Sequence, residues 1–263
     1  MFTTQFKMAR QPFQERPPVE AILCDERIAQ GLARLKYLAE AGTLGLVSGQ
    51  TGVGKSSLLR LFVHSLSPNL YQPLYLSLTQ VGASGLLRLI VTALGEVPRR
   101  GKERLFLQIL EKLQKIERTT LLVIDEAHLI PSEALTDLRL LVSAGLDEGP
   151  RLKILLSGQD LLREALKRAS HADLVNRISV RYRMPPMQKE QTASYIDSQL
   201  KSAGASERIF DQEAKYLLHD YASGVPRQIN SYATACLLNA TSKNVQKITE
   251  ALVNDTMADF RLP

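Results

Sequence analysis

One glycine-rich segment of the sequence has the residue types needed to bind a chain of phosphates. The pattern G-x-x-x-x-G-K-[ST] is matched by Gly49-Gln50-Thr51-Gly52-Val53-Gly54-Lys55-Ser56. Its glycines let the backbone turn so that consecutive N–H groups and a helix N-terminus face phosphate oxygens. The Lys55 ammonium would neutralise the β and γ phosphates, and the Ser56 hydroxyl would bind Mg²⁺. The segment, with the adjoining Ser57, therefore predicts an ATP-binding site.

An acidic pair further along the chain could complete this chemistry. Asp125 and Glu126 directly follow the apolar run Leu121–Ile124, which is typical of a buried strand. Ligands of open α/β folds bind beyond the carboxyl ends of such strands. Asp125 could then hold the Mg²⁺ shell, and Glu126 could orient an attacking water or take its proton. The two motifs together predict Mg²⁺-dependent hydrolysis of ATP to ADP and phosphate.

These motifs need a framework, and the spacing of apolar residues predicts one. Short apolar runs predict strands over 44–47, 73–78, 121–124 and 152–156. Helical spacing predicts helices over 25–41, 56–66, 85–94, 103–116, 132–142 and 161–168. Strands that alternate with helices imply crossover connections, so we expect an α/β fold with a mostly parallel sheet sandwiched by helices. The phosphate-binding segment falls between the first strand and the helix that follows it.

The organisation of the chain changes after residue 186. Helical patterns recur over 190–203, 211–221, 227–239 and 248–260, without further strand signals. Residues 1–20 are rich in Pro, Gln and Arg and read as an arm on the surface, with Phe2, Phe6 and Phe13 spaced along it. We therefore predict an N-terminal arm (1–20), an α/β core (21–186) and a small all-helical lid domain (187–263).

Composition narrows the class of protein. The 263 residues are 44% hydrophobic and 23% charged, which excludes disordered, collagen-like and fibrous chains. Two distant cysteines, Cys24 and Cys236, exclude a disulfide scaffold and a cysteine-based zinc site. No apolar stretch approaches the roughly 20 residues of a membrane span, and the start lacks a signal peptide's apolar core. We expect a cytoplasmic protein with no membrane partner.

The combined motifs resemble those of an AAA+ ATPase. The residues that carry this resemblance are the phosphate-binding segment, Asp125-Glu126-Ala127-His128, Ser157-Gly158-Gln159, Arg177 and Gly224-Val225-Pro226-Arg227. A narrower resemblance to ExeA-like ATPases comes from the Phe13 arm, Leu138-Arg139-Leu140, Gly158-Gln159-Asp160-Leu161-Leu162, Asn176-Arg177-Ile178 and Pro226-Arg227-Gln228-Ile229-Asn230. That group is related to the ORC/Cdc6 branch. It includes secretion-pathway ATPases and regulators of DNA transposition of the TnsC, MuB and TniB kind.

The resemblance implies roles for further residues around the nucleotide. Gln159 matches the sensor 1 position, which detects the γ-phosphate and positions water, and Ser157 is a competing candidate. Arg177 matches an arginine finger that reaches the nucleotide of a neighbouring subunit, so the resemblance implies a homo-oligomeric ring or filament. Arg227, after Pro226, matches the sensor 2 residue of the helical lid. The implied cofactors are ATP and Mg²⁺.

The resemblance leaves several biological roles open. One is an ATPase that oligomerises on double-stranded DNA and recruits or activates a transposase or target-selection protein during transposition, a form of DNA recombination. Another is an assembly ATPase of a secretion machine, and a third is a nucleotide-dependent adaptor with negligible turnover. Secretion members carry a membrane span and a further domain that this sequence lacks, so we expect the transposition role. Glu126 argues against the adaptor, which would need no catalytic carboxylate.

Basic residues offer only limited support for DNA binding. The net charge of +6 is a mild bias that many enzymes share. The best candidates for DNA contacts are Arg99, Arg100 and Lys102, in a loop that interrupts the core, with the loop 79–84 beside them. A solvated charged turn is the alternative, because three basic residues do not make a patch.

Overall fold

A parallel five-stranded sheet forms the centre of the larger part of the molecule. In this computed structural model, residues 2–78, 82–144, 151–205 and 208–260 are described. The strands are β1 (Leu44–Ser48), β2 (Tyr71–Ser77), β3 (Thr119–Asp125), β4 (Leu152–Gly158) and β5 (Ile178–Arg183). Their order is β2-β3-β4-β1-β5, and every neighbouring pair is parallel. The predicted α/β class with a parallel sheet is confirmed.

Twelve α-helices accompany this sheet in the described residues. The first eight are α1 (Phe2–Gln5), α2 (Glu26–Glu40), α3 (Lys55–Ser65), α4 (Ala83–Ala93), α5 (Lys102–Gln114), α6 (Ser132–Val142), α7 (Asp160–Leu166) and α8 (Ala172–Asn176). They are followed by α9 (Lys189–Ser202), α10 (Gln212–Ala222), α11 (Pro226–Ser242) and α12 (Glu250–Phe260). Short 3₁₀ turns cover Val19–Ala21, Ala127–Leu129 and Ala169–His171. None of these helices is long and apolar enough to cross a bilayer.

The central strands are apolar because helices cover both of their faces. Every residue of β1 is buried, as is nearly every residue of β3 and β4. β5 differs, because Val180 and Tyr182 face inward while Ser179, Arg181 and Arg183 are exposed. Sequence analysis missed this strand, since half of its residues are polar and it lies at the edge of the sheet.

Contacts divide the chain into two compact units. The helical unit comprises Met1–Arg27, Thr51–Gly54 and Pro185–Pro263, and the sheet unit comprises Ile28–Gln50 and Lys55–Met184. Each unit has its own cluster of buried apolar side chains. The predicted division into an arm (1–20), an α/β core (21–186) and a helical lid domain (187–263) stays a prediction.

The N-terminal segment contributes to the core of the helical unit. Phe2, Phe6, Met8 and Phe13 are all at most 8% exposed and pack in the same cluster as the long helices of this unit. The backbone N–H of Ala9 donates to the carbonyl of Ala203 at 2.9 Å, which ties the segment to the end of α9. The expectation of an arm on the surface therefore does not hold for its apolar side chains. The phenylalanines pack into the core of the helical unit, where their apolar surface is removed from water.

The tight turn between α10 and α11 contains a glycine that contacts another backbone segment closely. Ser223 and Gly224 both have positive φ angles, 48° and 68°. The Gly224 carbonyl accepts a hydrogen bond from the Met187 N–H at 2.8 Å. A Cβ atom on Gly224 would lie 2.2 Å from the Met187 carbonyl oxygen, a distance that no side chain could tolerate. Only glycine therefore allows this close approach of two backbone segments.

We expect Gly224→Ala to destabilise the helical unit strongly. The left-handed backbone alone costs about 1–2 kcal/mol for alanine, and relief of the clash with Met187 adds to it. Thermal unfolding should show a melting temperature lower by roughly 5 °C or more. Gly82→Ala is the control, because Gly82 has an ordinary φ of −72° and no atom lies within 4 Å of an added Cβ. Equal melting temperatures for the two variants would contradict this account.

Candidate nucleotide-binding site

The glycine-rich segment joins β1 to α3, as predicted. Gly52 and Gly54 have φ angles of 79° and 112°, a region that other residues rarely adopt. Lys55 is the first residue of α3 and is only 6% exposed. Its Nζ donates to the carbonyl oxygens of Gly49 and Gln50, each at 2.9 Å. Because hydrogen bonds between ionised groups are stronger than those to neutral carbonyls, phosphate oxygens would displace these partners.

Asp125 is the most heavily hydrogen-bonded side chain of the sheet unit's carboxyl edge. It ends β3, is 4% exposed, and its two oxygens accept hydrogen bonds from four groups. Those donors are Ser56 Oγ (2.9 Å) and Tyr75 Oη (2.7 Å) to Oδ2, and Ser157 Oγ (2.9 Å) and the Glu126 N–H (3.0 Å) to Oδ1. Burial of a carboxylate is tolerated when its lone pairs are satisfied in this way.

The pair Ser56 and Asp125 fits a magnesium ion bound together with a nucleotide. Mg²⁺ prefers oxygen ligands and is usually held by one or two protein oxygens, with phosphates and waters completing its shell. The hydroxyl of Ser56 and Oδ2 of Asp125 lie 2.9 Å apart at the start of α3. Among the residues that the structure describes, no group of three or more His, Cys, Asp and Glu side chains could form a closed metal cage. The Ser56 hydroxyl and the Asp125 carboxylate would supply part of a magnesium shell, with phosphate and water oxygens as the remaining ligands.

Glu126 adopts an unusual backbone conformation directly after β3. Its φ and ψ angles are 56° and 33°, the left-handed region, which is uncommon for a residue other than glycine and recurs at functional sites. The turn leaves the Glu126 side chain 41% exposed, whereas the preceding Asp125 is buried. His128 Nδ1 lies 3.4 Å from Glu126 Oε2 without the geometry of a hydrogen bond. The Glu126 carboxylate is therefore accessible to a water molecule.

The end of β4 holds the two candidates for sensor 1, and the structure gives them different surroundings. Ser157 is completely buried, and its hydroxyl is committed to Asp125 Oδ1. Gln159 follows the strand, is partly exposed, and begins α7 as its N-cap residue. Within the described ranges its side-chain amide makes no hydrogen bond. This difference supports Gln159 as the group free to meet a phosphate or water, and its role stays a prediction.

Arg177 lies between α8 and β5 with its side chain exposed. Its guanidinium has no hydrogen-bond or ion-pair partner in the part of the chain that the structure describes. The nearby arginines differ, because Arg181 donates to the Val175 carbonyl at 2.8 Å and Arg183 pairs with Asp160 at 2.9 Å. The hydrogen bond from Arg183 also lowers the pKa of Asp160. Of these three arginines, Arg177 alone is free to contact another molecule.

Two contacts hold the segment that presents Arg177. His171 Nε2 lies 2.8 Å from Ser132 Oγ, at the start of α6, and Arg139 of α6 pairs with Asp173 of α8 at 3.5 Å. His171 is 3% exposed, and burial lowers its pKa, with a smaller contribution from the positive charge of Arg168. The histidine is therefore neutral in the folded protein at neutral pH.

Within the helical unit, the tip of the glycine-rich segment packs on the start of α11. The Arg227 N–H donates to the Gly52 carbonyl at 3.3 Å, and a Cβ on Gly52 would lie 2.7 Å from the Cβ of Arg227. Pro226 occupies the first turn of α11, where its missing N–H is harmless. The exposed Arg227 guanidinium has no partner among the described residues. This placement supports the predicted nucleotide role of Arg227, which stays a prediction.

Sequence analysis missed two residues that hold parts of this site. Arg27 is 6% exposed, pairs with Asp25 at 2.7 Å, and donates to the carbonyls of Val53 (3.4 Å) and Pro185 (2.9 Å). It thus ties three segments of the helical unit together. Tyr75 donates to Asp125 from the neighbouring strand β2. Neither residue belongs to a recognisable motif, and both act through contacts distant in sequence.

The basic loop predicted to contact DNA is largely neutralised within the sheet unit. Arg99 pairs with Glu111 at 3.2 Å, and Lys102 pairs with Asp137 at 3.0 Å. Arg100 is exposed and has no ion pair within the described ranges. Residues 79–81 of the loop predicted beside it lie outside the described residues. Arg100 is therefore the one member of the predicted trio with its charge fully available.

Comparison with known proteins gives one family match and one similar sequence. Residues 39–166 match the AAA domain family AAA_22. Over 256 residues the sequence is 30% identical to general secretion pathway protein A of Aeromonas hydrophila, an alignment that covers 94% of this chain and 46% of that protein. The chain thus spans about half the length of this curated relative.

Solved structures of ORC proteins share the fold. The Aeropyrum pernix ORC1 protein, solved in complex with DNA, superposes with a TM-score of 0.70 at 16% identity, covering 92% of this chain and 67% of that one. The Aeropyrum pernix ORC2 protein, solved as ADPNP and ADP complexes, gives a TM-score of 0.71 at 17% identity, covering 94% and 71%. At these identities the likeness establishes the fold.

We expect the neutral, buried His171 to make stability depend on pH. The unfolded chain binds a proton at His171 near pH 6.5, whereas the folded chain resists it, so the free energy of unfolding falls as pH drops below about 6.5. When the melting temperature is plotted against pH from about pH 7.5 to about pH 5.5, it should therefore fall less steeply for His171→Gln than for wild type. His64→Gln, at an exposed histidine of α3, should keep the wild-type slope. Equal slopes for wild type and His171→Gln would refute this role.

Proposed function

We propose that this protein binds ATP with Mg²⁺ and hydrolyses it to ADP and phosphate, and the match of residues 39–166 to an AAA domain family supports this. One observation carries the proposal. The Ser56 hydroxyl lies 2.9 Å from Asp125 Oδ2, and the side chain of the adjacent Glu126 is 41% exposed, so water can reach its carboxylate. A site that only bound nucleotide would need the first two groups and would have no use for the third.

Each residue has a distinct part in the proposed reaction. Loop N–H groups and the Lys55 ammonium bind the phosphates and withdraw charge from the β and γ oxygens. The Ser56 hydroxyl and the Asp125 carboxylate hold Mg²⁺, which when bound neutralises the phosphate charge that develops during transfer. Glu126 orients a water molecule in line with the γ-phosphate and accepts its proton. The left-handed turn at Glu126 aims this carboxylate away from Asp125, so the two acids can do different work.

We further propose that catalysis is completed between subunits of a homo-oligomer. The unpartnered Arg177 would stabilise charge on a neighbouring subunit's nucleotide as an arginine finger. Gln159 would contact the γ-phosphate or the water, and Arg227 would carry the nucleotide state to the helical unit. The contacts of Arg181 and Arg183 support this choice of Arg177, because both are already engaged.

For the biological role, we propose an ATPase that assembles on double-stranded DNA and regulates transposition by recruiting a transposase or target-selection protein. The fold shared with an ORC protein solved in complex with DNA supports a DNA-bound assembly. Arg100 is the residue best placed to contact the phosphate backbone, and such contacts would be independent of sequence and sensitive to salt.

A second candidate role follows from the sequence relative. The 30% identity to general secretion pathway protein A supports an assembly ATPase of a secretion machine, without a role for DNA. The same nucleotide chemistry would serve either role, because function depends on the partners of the site as well as on its fold. DNA binding therefore discriminates between the two candidates.

We expect Lys55→Ala and Glu126→Gln to separate binding from hydrolysis. Lys55→Ala removes the positively charged group that contacts the phosphates, so this variant should bind ATP at least 100-fold more weakly. Glu126→Gln should bind ATP as wild type does and lose at least about 100-fold in turnover. Calorimetry with a nonhydrolysable ATP analogue and phosphate-release assays measure the two effects. Lys167→Ala is a surface control, and normal turnover by Glu126→Gln would contradict the catalytic assignment.

We expect Arg100→Ala to weaken binding to duplex DNA if the transposition role is correct. Titrations with ATP, with ADP and without nucleotide, each repeated over a range of salt, should show tightest binding with ATP. Loss of one phosphate contact should lower the salt slope by about one and weaken binding several-fold. Arg99→Ala is the matched control, because Arg99 is already paired with Glu111.

The two roles give opposite results in this experiment. If the protein binds DNA only with ATP and forms larger assemblies when it does so, the result supports the transposition role. Indifference to DNA in every nucleotide state, with intact ATP hydrolysis, would reject it and leave the secretion role.

A further inference from the structure

Tyr75 occupies a position in the candidate site that none of the motifs explains. It lies on β2, next to β3, and its hydroxyl donates to Asp125 Oδ2 at 2.7 Å. The same carboxylate oxygen accepts the hydrogen bond from Ser56 Oγ at 2.9 Å. Oδ2 is therefore the oxygen on the side of the proposed magnesium ion, whereas Oδ1 is held by Ser157 and the Glu126 backbone.

Strand register explains how this tyrosine reaches the carboxylate. Tyr75 pairs with Val123 and Ser77 pairs with Asp125, so Tyr75 and Asp125 are diagonal neighbours on one face of the sheet. Parallel strands lie about 4.8 Å apart and rise about 3.3 Å per residue, so this diagonal spans roughly 8 Å, within reach of an aromatic side chain but of few others. Tyrosine combines that reach with a hydroxyl at its tip, so a phenylalanine could span the gap without donating a hydrogen bond.

Burial contributes little to the position of the Tyr75 side chain. The residue is 47% exposed at the edge of the sheet, so much of its ring remains in contact with water. Its hydroxyl nevertheless makes one of the shortest hydrogen bonds of the site, to an ionisable group. Hydrogen bonds to charged groups contribute more than those between neutral groups.

We propose that Tyr75 is a positioning residue for the magnesium ion that accompanies ATP. By donating to Oδ2, its hydroxyl fixes the rotation of the Asp125 carboxylate and keeps the oxygen aimed at the metal. The inference rests on the proposed function, because it concerns the metal of the ATP complex.

Tyr71 provides a matched control on the same strand. Its hydroxyl donates to the backbone carbonyl of Ala39 at 3.0 Å, so Tyr71→Phe also removes one phenol hydroxyl and one hydrogen bond. The two residues are four positions apart on β2, so their side chains share a face. The control contact lies away from the carboxylate, and only Tyr75→Phe should therefore affect the metal.

The test uses equilibrium binding, without turnover. A fluorescent methylanthraniloyl derivative of ATP is titrated into the full chain carrying Glu126→Gln, alone or with Tyr75→Phe or Tyr71→Phe, across a range of free Mg²⁺. We expect Tyr75→Phe to raise the Mg²⁺ concentration for half-maximal tight binding about tenfold, the loss typical of one hydrogen bond to a charged group. Tyr71→Phe should leave this concentration unchanged within twofold. With EDTA, all three proteins should bind the nucleotide equally weakly.

Each other outcome contradicts a separate statement. Identical Mg²⁺ curves for the parent and Tyr75→Phe would overturn the inference while leaving the ATPase proposal intact. Weaker binding by Tyr75→Phe to the same extent with EDTA would also overturn it, because the residue would then act on the nucleotide itself. Failure of the parent protein to bind nucleotide at any Mg²⁺ concentration would reject the proposed function and the inference with it.

Discussion

The hydrogen bonds of one buried carboxylate, Asp125, depend on the order and register of the strands in this sheet. Asp125 is almost inaccessible to water, so its charge is tolerated only because hydroxyl and amide donors replace the lost solvent. Those donors come from different elements, with Ser56 on α3, Tyr75 on β2 and Ser157 on β4. Their convergence requires the observed strand order and register, because a shift of one residue in either neighbouring strand would turn its hydroxyl to the opposite face.

The same requirement separates the tasks of the two adjacent acids. The Asp125 carboxylate accepts a hydrogen bond from Ser56 of α3, and the left-handed backbone at Glu126 leaves the next carboxylate 41% exposed. An extended continuation of β3 would also send successive side chains to opposite faces, but it would prolong the strand beyond the sheet edge. The turn is therefore a local strain that exposes the Glu126 carboxylate, the proposed catalytic group, and the packed core beneath it supports that strain.

Sequence predicted the central sheet and the phosphate segment because both are local patterns. The run Leu121–Ile124 is continuous because it is buried on two faces, and the glycines of residues 49–54 mark a turn whatever surrounds them. Tyr75 and Arg27 could not be found in this way, since Asp125 is 50 residues from Tyr75 and the carbonyl partners of Arg27 are 26 or more residues away, so these contacts depend on register and packing. β5 was missed for a related reason, because its alternating arginines are typical of a loop as much as of an edge strand.

Acidic residues offset part of the positive charge at the loop between α4 and α5. Gln108, itself buried, holds the loop by donating to the Val97 carbonyl at 2.9 Å and accepting from the Arg99 N–H at 3.1 Å. The backbone is thus already ordered, and the acids Glu111 and Asp137 determine how much of its charge faces outward. Affinity of this face for a polyanion can consequently rise through loss of an acidic residue elsewhere, with no basic residue gained and no loop rebuilt.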